Sequence, residues 1–127
     1  MDFQSRSSLV GKEFEDVVYQ DLVSKGHTNI KRGVTLFGVE SDFVSTTPEG
    51  KTQYTEAKGG KNNRPGAQRT DNVKKAIASA FIIRTKVPDA QIVTYYSAAP
   101  KKGLSSDITI NIALESGLIN EVVYKKY

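Results

Sequence analysis

Apolar residues recur every three or four positions near the start of the chain, and this spacing predicts an amphipathic helix. Ser7 or Ser8 is expected to cap its start, acidic residues follow in its first turns, and Gly26 after Lys25 marks its end. The apolar side of this helix comprises Leu9, Val10, Phe14, Val17, Val18, Leu22 and Val23.

Three short runs of extended character follow, at about residues 29–34, 37–45 and 51–58. The second and third are separated by Thr47-Pro48-Glu49-Gly50, which places Pro and Gly where a type I turn favours them. These two runs are therefore expected to form a β-hairpin.

The second half of the chain alternates helices and strands. A loop rich in Gly, Asn and Pro over 59–66 precedes a predicted helix over 68–84 and a buried strand over 91–97. A third helix is expected to start at a Ser105 or Ser106 cap and to run through Leu114, and a short strand over 121–124 follows. The predicted order is α-β-β-β-α-β-α-β, an α/β fold. The second helix carries Val73, Ile77, Ala80, Phe81 and Ile83 as its apolar positions, and the buried strand carries Tyr95 and Tyr96.

Composition favours one compact domain over residues 1–127, with 38% hydrophobic and 25% charged residues. The absence of Cys excludes disulfides, Cys-based zinc sites and iron–sulfur clusters, and a single His excludes multi-histidine metal sites. Neither a secretory signal nor a membrane-spanning apolar run is visible, so we expect a cytoplasmic protein with no membrane partner.

The net charge of +4 is unevenly distributed along the sequence. Residues 1–58 hold 7 Lys and Arg against 9 Asp and Glu, whereas residues 59–127 hold 11 against 5. This distribution fits either a polyanionic partner held near a carboxylate cluster or a solvated surface of uneven charge.

The predicted hairpin brings acidic and basic side chains together. Residues two apart in a strand share a face, so Glu56 and Lys58 point one way and Ala57 the other. If residues 46 and 51 pair across the turn, Asp42 lies opposite Thr55, and a shift of one residue places it opposite Glu56. In either register Asp42 lies within one strand spacing, about 5 Å, of Glu56.

Two carboxylates held this close repel each other, by about 4 kcal/mol at 4 Å and an effective dielectric of 20. Such a pair persists if one member is protonated, if it turns into solvent, or if a cation neutralises it. Lys58 can offset one negative charge but not two. Oxygen ligands without His or Cys favour Mg²⁺ or Mn²⁺ over zinc.

This pattern resembles a known family. Asp42, a gap of 13 residues, and Glu56-Ala57-Lys58 are similar to the core signature of the PD-(D/E)XK nuclease superfamily, which has the restriction-endonuclease-like fold. Gly11-Lys12-Glu13-Phe14-Glu15 resembles the Gly-x-x-x-Glu segment of archaeal Holliday junction resolvases. The order of predicted elements over residues 8–97 agrees, and Ser41 stands where the family name has Pro.

The resemblance implies an αβββαβ core whose central mixed sheet is flanked by helices, with an added C-terminal helix and strand. It implies a Mg²⁺-dependent DNA endonuclease that acts as a homodimer, with selection of DNA by its structure and resolution of junctions among the activities open to it. Asp42, Glu56, the Ala57 carbonyl and Glu15 would hold Mg²⁺, or Mn²⁺ as a substitute, with Glu13 competing for the role of Glu15. Lys58 would orient or help to deprotonate the attacking water.

A basic segment follows the acidic pair directly, and its residues are candidates for contacts to DNA phosphates. An equally valid interpretation is a solvated loop and helix surface, and the same fold could serve as a non-catalytic nucleic-acid-binding module. Gly59-Gly60 lacks the pattern of a phosphate-binding loop, so no nucleotide cofactor is expected. The candidate DNA-binding residues are Lys61, Arg64, Gln68, Arg69, Lys74 and Lys75.

Overall fold

The computed structural model describes residues 3–60 and 65–127, with side chains from residue 12 onward. The order of helices and strands is the one predicted from the sequence. The helices are α1 (Phe3–Ser24), α2 (Thr70–Lys86) and α3 (Ser105–Glu115), with a single 3₁₀ turn at Gly66–Gln68 before α2. The strands are β1 (Thr28–Leu36), β2 (Val39–Thr46), β3 (Thr52–Lys58), β4 (Gln91–Tyr96) and β5 (Glu121–Tyr124).

The five strands form one mixed sheet in the order β1-β2-β3-β4-β5. The first three strands pair antiparallel, and β3–β4 and β4–β5 pair parallel. Parallel neighbours need crossover connections, which α2 and α3 supply. Because both crossovers step in the same direction along the sheet, the usual right-handed connection places both helices on one side. The fold is thus the expected α/β core, with a mixed sheet between helices.

Apolar clusters on the two sides of the sheet show how the helices pack. Phe14, Val18 and Leu22 of α1 are fully buried against Phe43 and Tyr95. The opposite side is covered by α2 and α3, whose buried residues pack on β4 and on the segment before β5. The helices contribute Val73, Ala80, Ile83, Ile110 and Ala113 to this side of the core. The sheet contributes Ile92 and Tyr96, and the segment before β5 contributes Ile119.

Some predicted details are wrong at the helix ends. Helix α1 already runs through Ser7 and Ser8, so neither residue is its cap. The N-cap of α3 is Leu104, which has no side-chain cap, instead of a serine. Asp107 of the first turn instead fixes the turn before the helix, because its Oδ2 accepts a hydrogen bond from the Gly103 N–H at 2.9 Å.

Apolar periodicity also overestimates the buried width of two helices. Val23 of α1 is 46% exposed and Phe81 of α2 is 63% exposed, although both belong to the predicted apolar sets. In contrast, Tyr95 and Tyr96 are each 1% exposed, which confirms their predicted place in the core. Within the described ranges, no helix is both long and apolar enough to cross a lipid bilayer.

A buried carboxylate links distant parts of the chain. Asp21 of α1 accepts a hydrogen bond from the Tyr95 hydroxyl of β4, and its oxygens lie 2.9 Å from Lys25 Nζ and 3.0 Å from Lys125 Nζ. Burial alone would raise the pKa of Asp21, but the hydrogen bonds from Tyr95, Lys25 and Lys125 outweigh it and lower this pKa to about 2. The cluster therefore ties α1 to β4 and to the segment after β5.

We expect Asp21→Asn to destabilise the protein by about 1–3 kcal/mol near neutral pH, because it removes hydrogen bonds to a charged group. The pKa of Asp21 is lower in the folded state than its ordinary value of 3.8. The stabilisation that ionised Asp21 provides is thus present above about pH 4 and is lost as the pH falls from there toward about 2. The unfolding free energies of the wild type and of Asp21→Asn therefore become equal in acid. Urea unfolding followed by circular dichroism across this range measures the difference.

Asp16→Asn is the matched control, because Asp16 is an exposed acid of the same helix whose Oδ1 lies 2.6 Å from Arg32. Exposed ion pairs contribute about 0–1 kcal/mol, so this variant should lose less stability than Asp21→Asn. Equal losses in the two variants would contradict a special role for the buried carboxylate.

Candidate metal and nucleic-acid site

The candidate site lies where β2 and β3 separate. The ladder between them pairs Thr46 with Thr52 and Phe43 with Thr55, which is one residue from the register that placed Asp42 opposite Thr55. That first register is wrong, and the alternative is confirmed, because the observed register, continued one position past its last pair, places Asp42 opposite Glu56. Phe43↔Thr55 is the last pair of the ladder, so Asp42 stands at the fork between the strands.

The Asp42 carboxylate is held by the backbone of the neighbouring strand. Its Oδ2 accepts a hydrogen bond from the Ala57 N–H at 2.8 Å, so a side chain replaces the main-chain acceptor where the ladder ends. Ser41, where the family pattern has Pro, is fully buried, and its hydroxyl donates to the Phe43 carbonyl at 2.9 Å. The backbone at the fork is therefore fixed from both strands, and Asp42 with it.

Glu56 is a buried acid with an incomplete set of partners. Its Oε2 lies 3.6 Å from Lys58 Nζ, whereas its Oε1 is buried with no hydrogen-bond partner among the described residues. Burial, then the negative charge of Asp42 and a hydrogen bond with Asp42 that protonated Glu56 makes, raise the pKa of Glu56, and Lys58 lowers it by less. Lys58 thus fails to compensate the two carboxylates, as the charge count predicted.

Register with β4 shows which side of the sheet carries these groups. Glu56 pairs with Thr94 and Lys58 with Tyr96, and Tyr96 packs in the cluster covered by α2 and α3. Ala57 instead packs in the cluster beneath α1, as strand alternation predicted. Glu56 and Lys58 therefore project toward the α2 side.

Thr94 is a buried polar residue beside the candidate site, and sequence reasoning missed it. It is fully buried beside Glu56, and its hydroxyl oxygen also has no partner within the described part of the chain. Buried oxygen atoms without hydrogen-bond partners on two paired residues mark a polar position that a ligand or water would satisfy. The sequence does carry a signal, since Thr94 stands between Ile92-Val93 and Tyr95-Tyr96 in the predicted buried strand.

The helix acids take different positions. Glu15 is partly buried, and burial followed by the charge of Asp42 raises the pKa of Glu15, with Arg32 opposing. Glu13 is exposed, and its charge instead raises the pKa of the Tyr127 hydroxyl, after burial. The structure thus brings Glu15 toward Asp42 and directs Glu13 toward the C-terminal segment.

Close packing holds α1 near the fork. Gly59 follows β3 directly, and a Cβ atom there would lie 2.4 Å from Phe14 Cγ. Only a residue without a side chain allows this approach. Because Phe14 precedes Glu15 in α1, this contact places the helix acid beside the end of β3.

The donor set fits a hard dication although it is small. No group of three or more His, Cys, Asp or Glu side chains in the described ranges is arranged to hold a metal ion. Mg²⁺, however, is commonly bound through one or two carboxylates, with water and substrate phosphate completing its shell. Asp42, Glu56 and the Ala57 carbonyl match that chemistry, and the unpartnered Glu56 Oε1 is the atom that a cation would satisfy.

The candidate DNA-binding residues lie along the segment after β3. Gln68 is half-buried in the 3₁₀ turn, Arg69 is exposed just before α2, and Lys74 and Lys75 are exposed in its first half. Among the described residues, no hydrogen bond or ion pair joins them to Asp42 or Glu56. Lys61 and Arg64 lie outside the described residues. A cavity of about 400 Å³ adjoins this turn and is lined by Ala67, Gln68, Thr70, Lys101, Leu104, Ser105 and Ser106.

Comparison with known proteins supports the fold through structure and not through sequence. Neither a protein-family model nor a curated protein matches the chain. A chain in a solved EndoMS–dsDNA complex superimposes with a TM-score of 0.60 at 11% identity. The match covers 87% of this chain but 42% of that one. At this identity the likeness shows the fold alone, and it agrees with a restriction-endonuclease-like core.

We expect Glu56→Gln to flatten the dependence of stability on pH. The folded state raises the pKa of Glu56 above its ordinary 4.5, so the folded protein keeps a proton that the unfolded chain releases. Stability therefore falls as pH rises from about 4.5 through the raised value, and the variant escapes this fall. Denaturant unfolding at about pH 9 should show the variant to be more stable by about 1–3 kcal/mol, the cost of a buried unpaired acceptor.

Glu49→Gln removes an exposed carboxylate from the turn between β2 and β3 and serves as the control. Its unfolding free energy should follow the wild-type pH dependence. If the unfolding free energy of Glu56→Gln also follows the wild-type pH dependence, the result contradicts a raised pKa of Glu56 in the folded protein.

Proposed function

We propose that the chain is a Mg²⁺-dependent DNA endonuclease that hydrolyses phosphodiester bonds. The observation that carries this proposal is the buried Glu56 carboxylate, which has one unpartnered oxygen, lies beside Asp42 and is only partly compensated by Lys58. The fold shared with a chain from an EndoMS–dsDNA complex supports a DNA substrate.

Asp42, Glu56 and the Ala57 carbonyl would hold Mg²⁺, for which Mn²⁺ would substitute, and Glu15 would assist directly or through water. Once bound, the ion supplies positive charge that favours deprotonation of water and offsets the charge on the phosphate. The rigid fork keeps the two carboxylates in place for this purpose, because the Ala57 N–H fixes Asp42 and the sheet buries Glu56.

Lys58 would act at the edge of the site. Its ammonium group is partly buried and faces Glu56 Oε2 at 3.6 Å, so it is near the acids yet open to a ligand. A compact cation on a flexible stem can hydrogen-bond the attacking water and a phosphate oxygen. We assign Lys58 to orienting that water and to stabilising the negative charge that grows on the phosphate.

The exposed cations Arg69, Lys74 and Lys75 would contact the DNA backbone, together with Lys61, Arg64 and Gln68. Such contacts position a duplex without reading its sequence. Recognition would therefore rely on DNA structure, and the resemblance to junction resolvases makes branched DNA the first substrate to test.

A second candidate function is a non-catalytic nucleic-acid-binding module on the same fold. It is favoured because no three His, Cys, Asp or Glu side chains in the described ranges, Glu15 included, are arranged to hold a metal ion together. This candidate keeps the basic segment and the DNA partner but assigns no chemistry to Asp42, Glu56 or Lys58.

Cleavage and metal binding can be measured separately. Wild-type protein should nick supercoiled plasmid and cut four-way junctions with Mg²⁺, and EDTA should stop both reactions. Asp42→Asn should abolish cleavage and the rise in melting temperature that Mg²⁺ produces in the wild type, while its amide oxygen still accepts the Ala57 hydrogen bond. Lys58→Ala should keep the Mg²⁺ effect on melting and lose about 100-fold or more in turnover.

Glu49→Gln is again the control and should retain both cleavage and the melting shift. Cleavage that continues in EDTA would contradict the metal mechanism. DNA binding by the wild type without cleavage of any substrate would establish the non-catalytic module instead.

Salt dependence tests the role of the basic helix. Replacing Arg69, Lys74 and Lys75 by Ala should reduce the slope of log affinity against log salt by about 0.9 for each phosphate that is no longer neutralised. Replacing Lys51 and Lys86, exposed cations in the β2–β3 turn and in the last turn of α2, should leave the slope unchanged. Fluorescence anisotropy with labelled duplex measures both. A triple variant with the wild-type slope would assign these residues to the solvated surface.

A further inference from the structure

The cavity of about 400 Å³ beside the 3₁₀ turn lies where two helices begin. Its lining includes Thr70, the first residue of α2, and Ser105, the first residue of α3. Each helix leaves the carboxyl end of one strand and leads to a parallel neighbour, so both helices start at the same edge of the sheet. We call this cavity the α2–α3 cavity. Crevices at the carboxyl ends of parallel strands are common ligand sites.

Backbone contacts hold the two helix starts together. The Ala67 N–H in the turn before α2 donates to the Ala98 carbonyl, in the segment that leads to α3, at 3.0 Å. Gly66 approaches the same segment so closely that a Cβ atom would lie 2.5 Å from the Ala98 nitrogen, and its φ is +57°. Only glycine combines this conformation with this approach. The α2–α3 cavity is therefore formed by fixed backbone.

Both helix starts offer backbone donors. Neither α2 nor α3 has a side-chain hydrogen bond from its N-cap residue, and the first N–H groups of an α-helix have no partner within the helix. The helix dipole adds positive potential there. Each first turn also contains an acid, but Asp71 and Asp107 lie outside the lining of the cavity, and Asp107 accepts from the Gly103 N–H. An anion is the ligand that such helix ends favour.

Ser106 indicates a ligand independently of the helix ends. It is 6% exposed and lines the α2–α3 cavity, yet its hydroxyl makes no hydrogen bond to any described residue. A buried hydroxyl without a partner is unfavourable, so its position marks a place that a ligand would satisfy. Lys101 also lines the cavity, and within the described ranges its ammonium group makes no ion pair. A hydroxyl, an ammonium group and two helix starts together supply donors for a negatively charged acceptor.

We propose that the α2–α3 cavity binds a phosphate group, which accepts hydrogen bonds from the starts of both helices, from the Ser106 hydroxyl and from Lys101. A phosphate presents oxygen atoms in several directions, so donors that arrive from two helices and a lysine can share it. In nucleic acid, an internal phosphodiester and a terminal phosphomonoester have this chemistry in common. The inference rests on the proposed function only for DNA as the source of the phosphate, because Asp42, Glu56 and Lys58 are not part of the cavity.

Titration of ¹⁵N-labelled protein with inorganic phosphate tests the site without DNA, metal or cleavage. At constant ionic strength, with chloride as the reference anion, phosphate should shift the amide resonances of Thr70, Ser105 and Ser106. Ser106→Ala loses a hydrogen bond to a charged group and should raise the phosphate Kd by about tenfold. Lys101→Gln loses a partly screened charge and should raise it by about threefold. The same spectra show whether each variant is folded.

Two control variants match these changes. Lys102→Gln removes the neighbouring exposed charge, which lies outside the lining of the cavity. Thr109→Ala removes a hydroxyl of α3 that already donates to the Ser105 carbonyl at 2.7 Å. Both should keep the wild-type Kd. Phosphate shifts confined to other surface residues would overturn the proposal, and so would a Kd that neither Ser106→Ala nor Lys101→Gln changes.

A duplex with and without a 5′-phosphate identifies the source of the phosphate. Fluorescence anisotropy should show that Ser106→Ala weakens binding. An equal loss for both duplexes assigns the α2–α3 cavity to a backbone phosphate, and a loss confined to the 5′-phosphorylated duplex assigns it to a terminal one. Wild-type affinity of Ser106→Ala for both duplexes would overturn a nucleic-acid phosphate as the ligand. Because cleavage is not measured, a protein that fails to cut DNA can still pass this test.

Discussion

The repulsion between Asp42 and Glu56 is the constraint on which the candidate site depends. The carboxylates meet where the β2–β3 ladder ends, and the sheet buries Glu56 too deeply for water to screen the interaction fully. Burial and the charge of Asp42 together raise the pKa of Glu56, which measures how unfavourable the ionised pair is. Two apolar side chains there would pack at lower cost, so the acidic pair is a candidate for binding or chemistry and not for stability.

The rest of the fold keeps the acidic pair from relaxing. The Ala57 N–H anchors Asp42, and parallel pairing with β4 fixes Glu56 beside Thr94. Contact of Phe14 with Gly59 keeps α1 close to the end of β3. Asp21 ties the same helix to β4 through Tyr95. On the proposed function, this fixed backbone holds the two carboxylates in place for the ion, as preorganised sites require.

The order of the elements could be predicted from local patterns, and the exact pairing could not. The turn residues placed Asp42 near Glu56, but they left the pairing across the turn uncertain by one residue, and such a shift changes which side chains share a face. Asp21 and Lys125 are 104 residues apart, and no local signal joins them. Phe81 fits helical periodicity yet is exposed. Periodicity shows which side of a helix is apolar, but not how much of that side the neighbouring elements bury.

The uneven charge of the sequence has a spatial consequence for DNA binding. The acidic half of the sequence ends at Lys58, the last residue of β3, and the basic half begins directly after it. The exposed cations Arg69, Lys74 and Lys75 therefore lie at and in α2, the helix that follows the acidic pair along the chain. A phosphate backbone drawn to the cations would meet the negative charge of Asp42 at the fork, beside Glu56, whose raised pKa favours its protonated form. On the proposed function, a dication there removes this repulsion, and the phosphate supplies oxygen ligands that the two carboxylates lack. Binding of DNA and of the ion must then strengthen each other by the same factor, since coupling between two ligands is reciprocal.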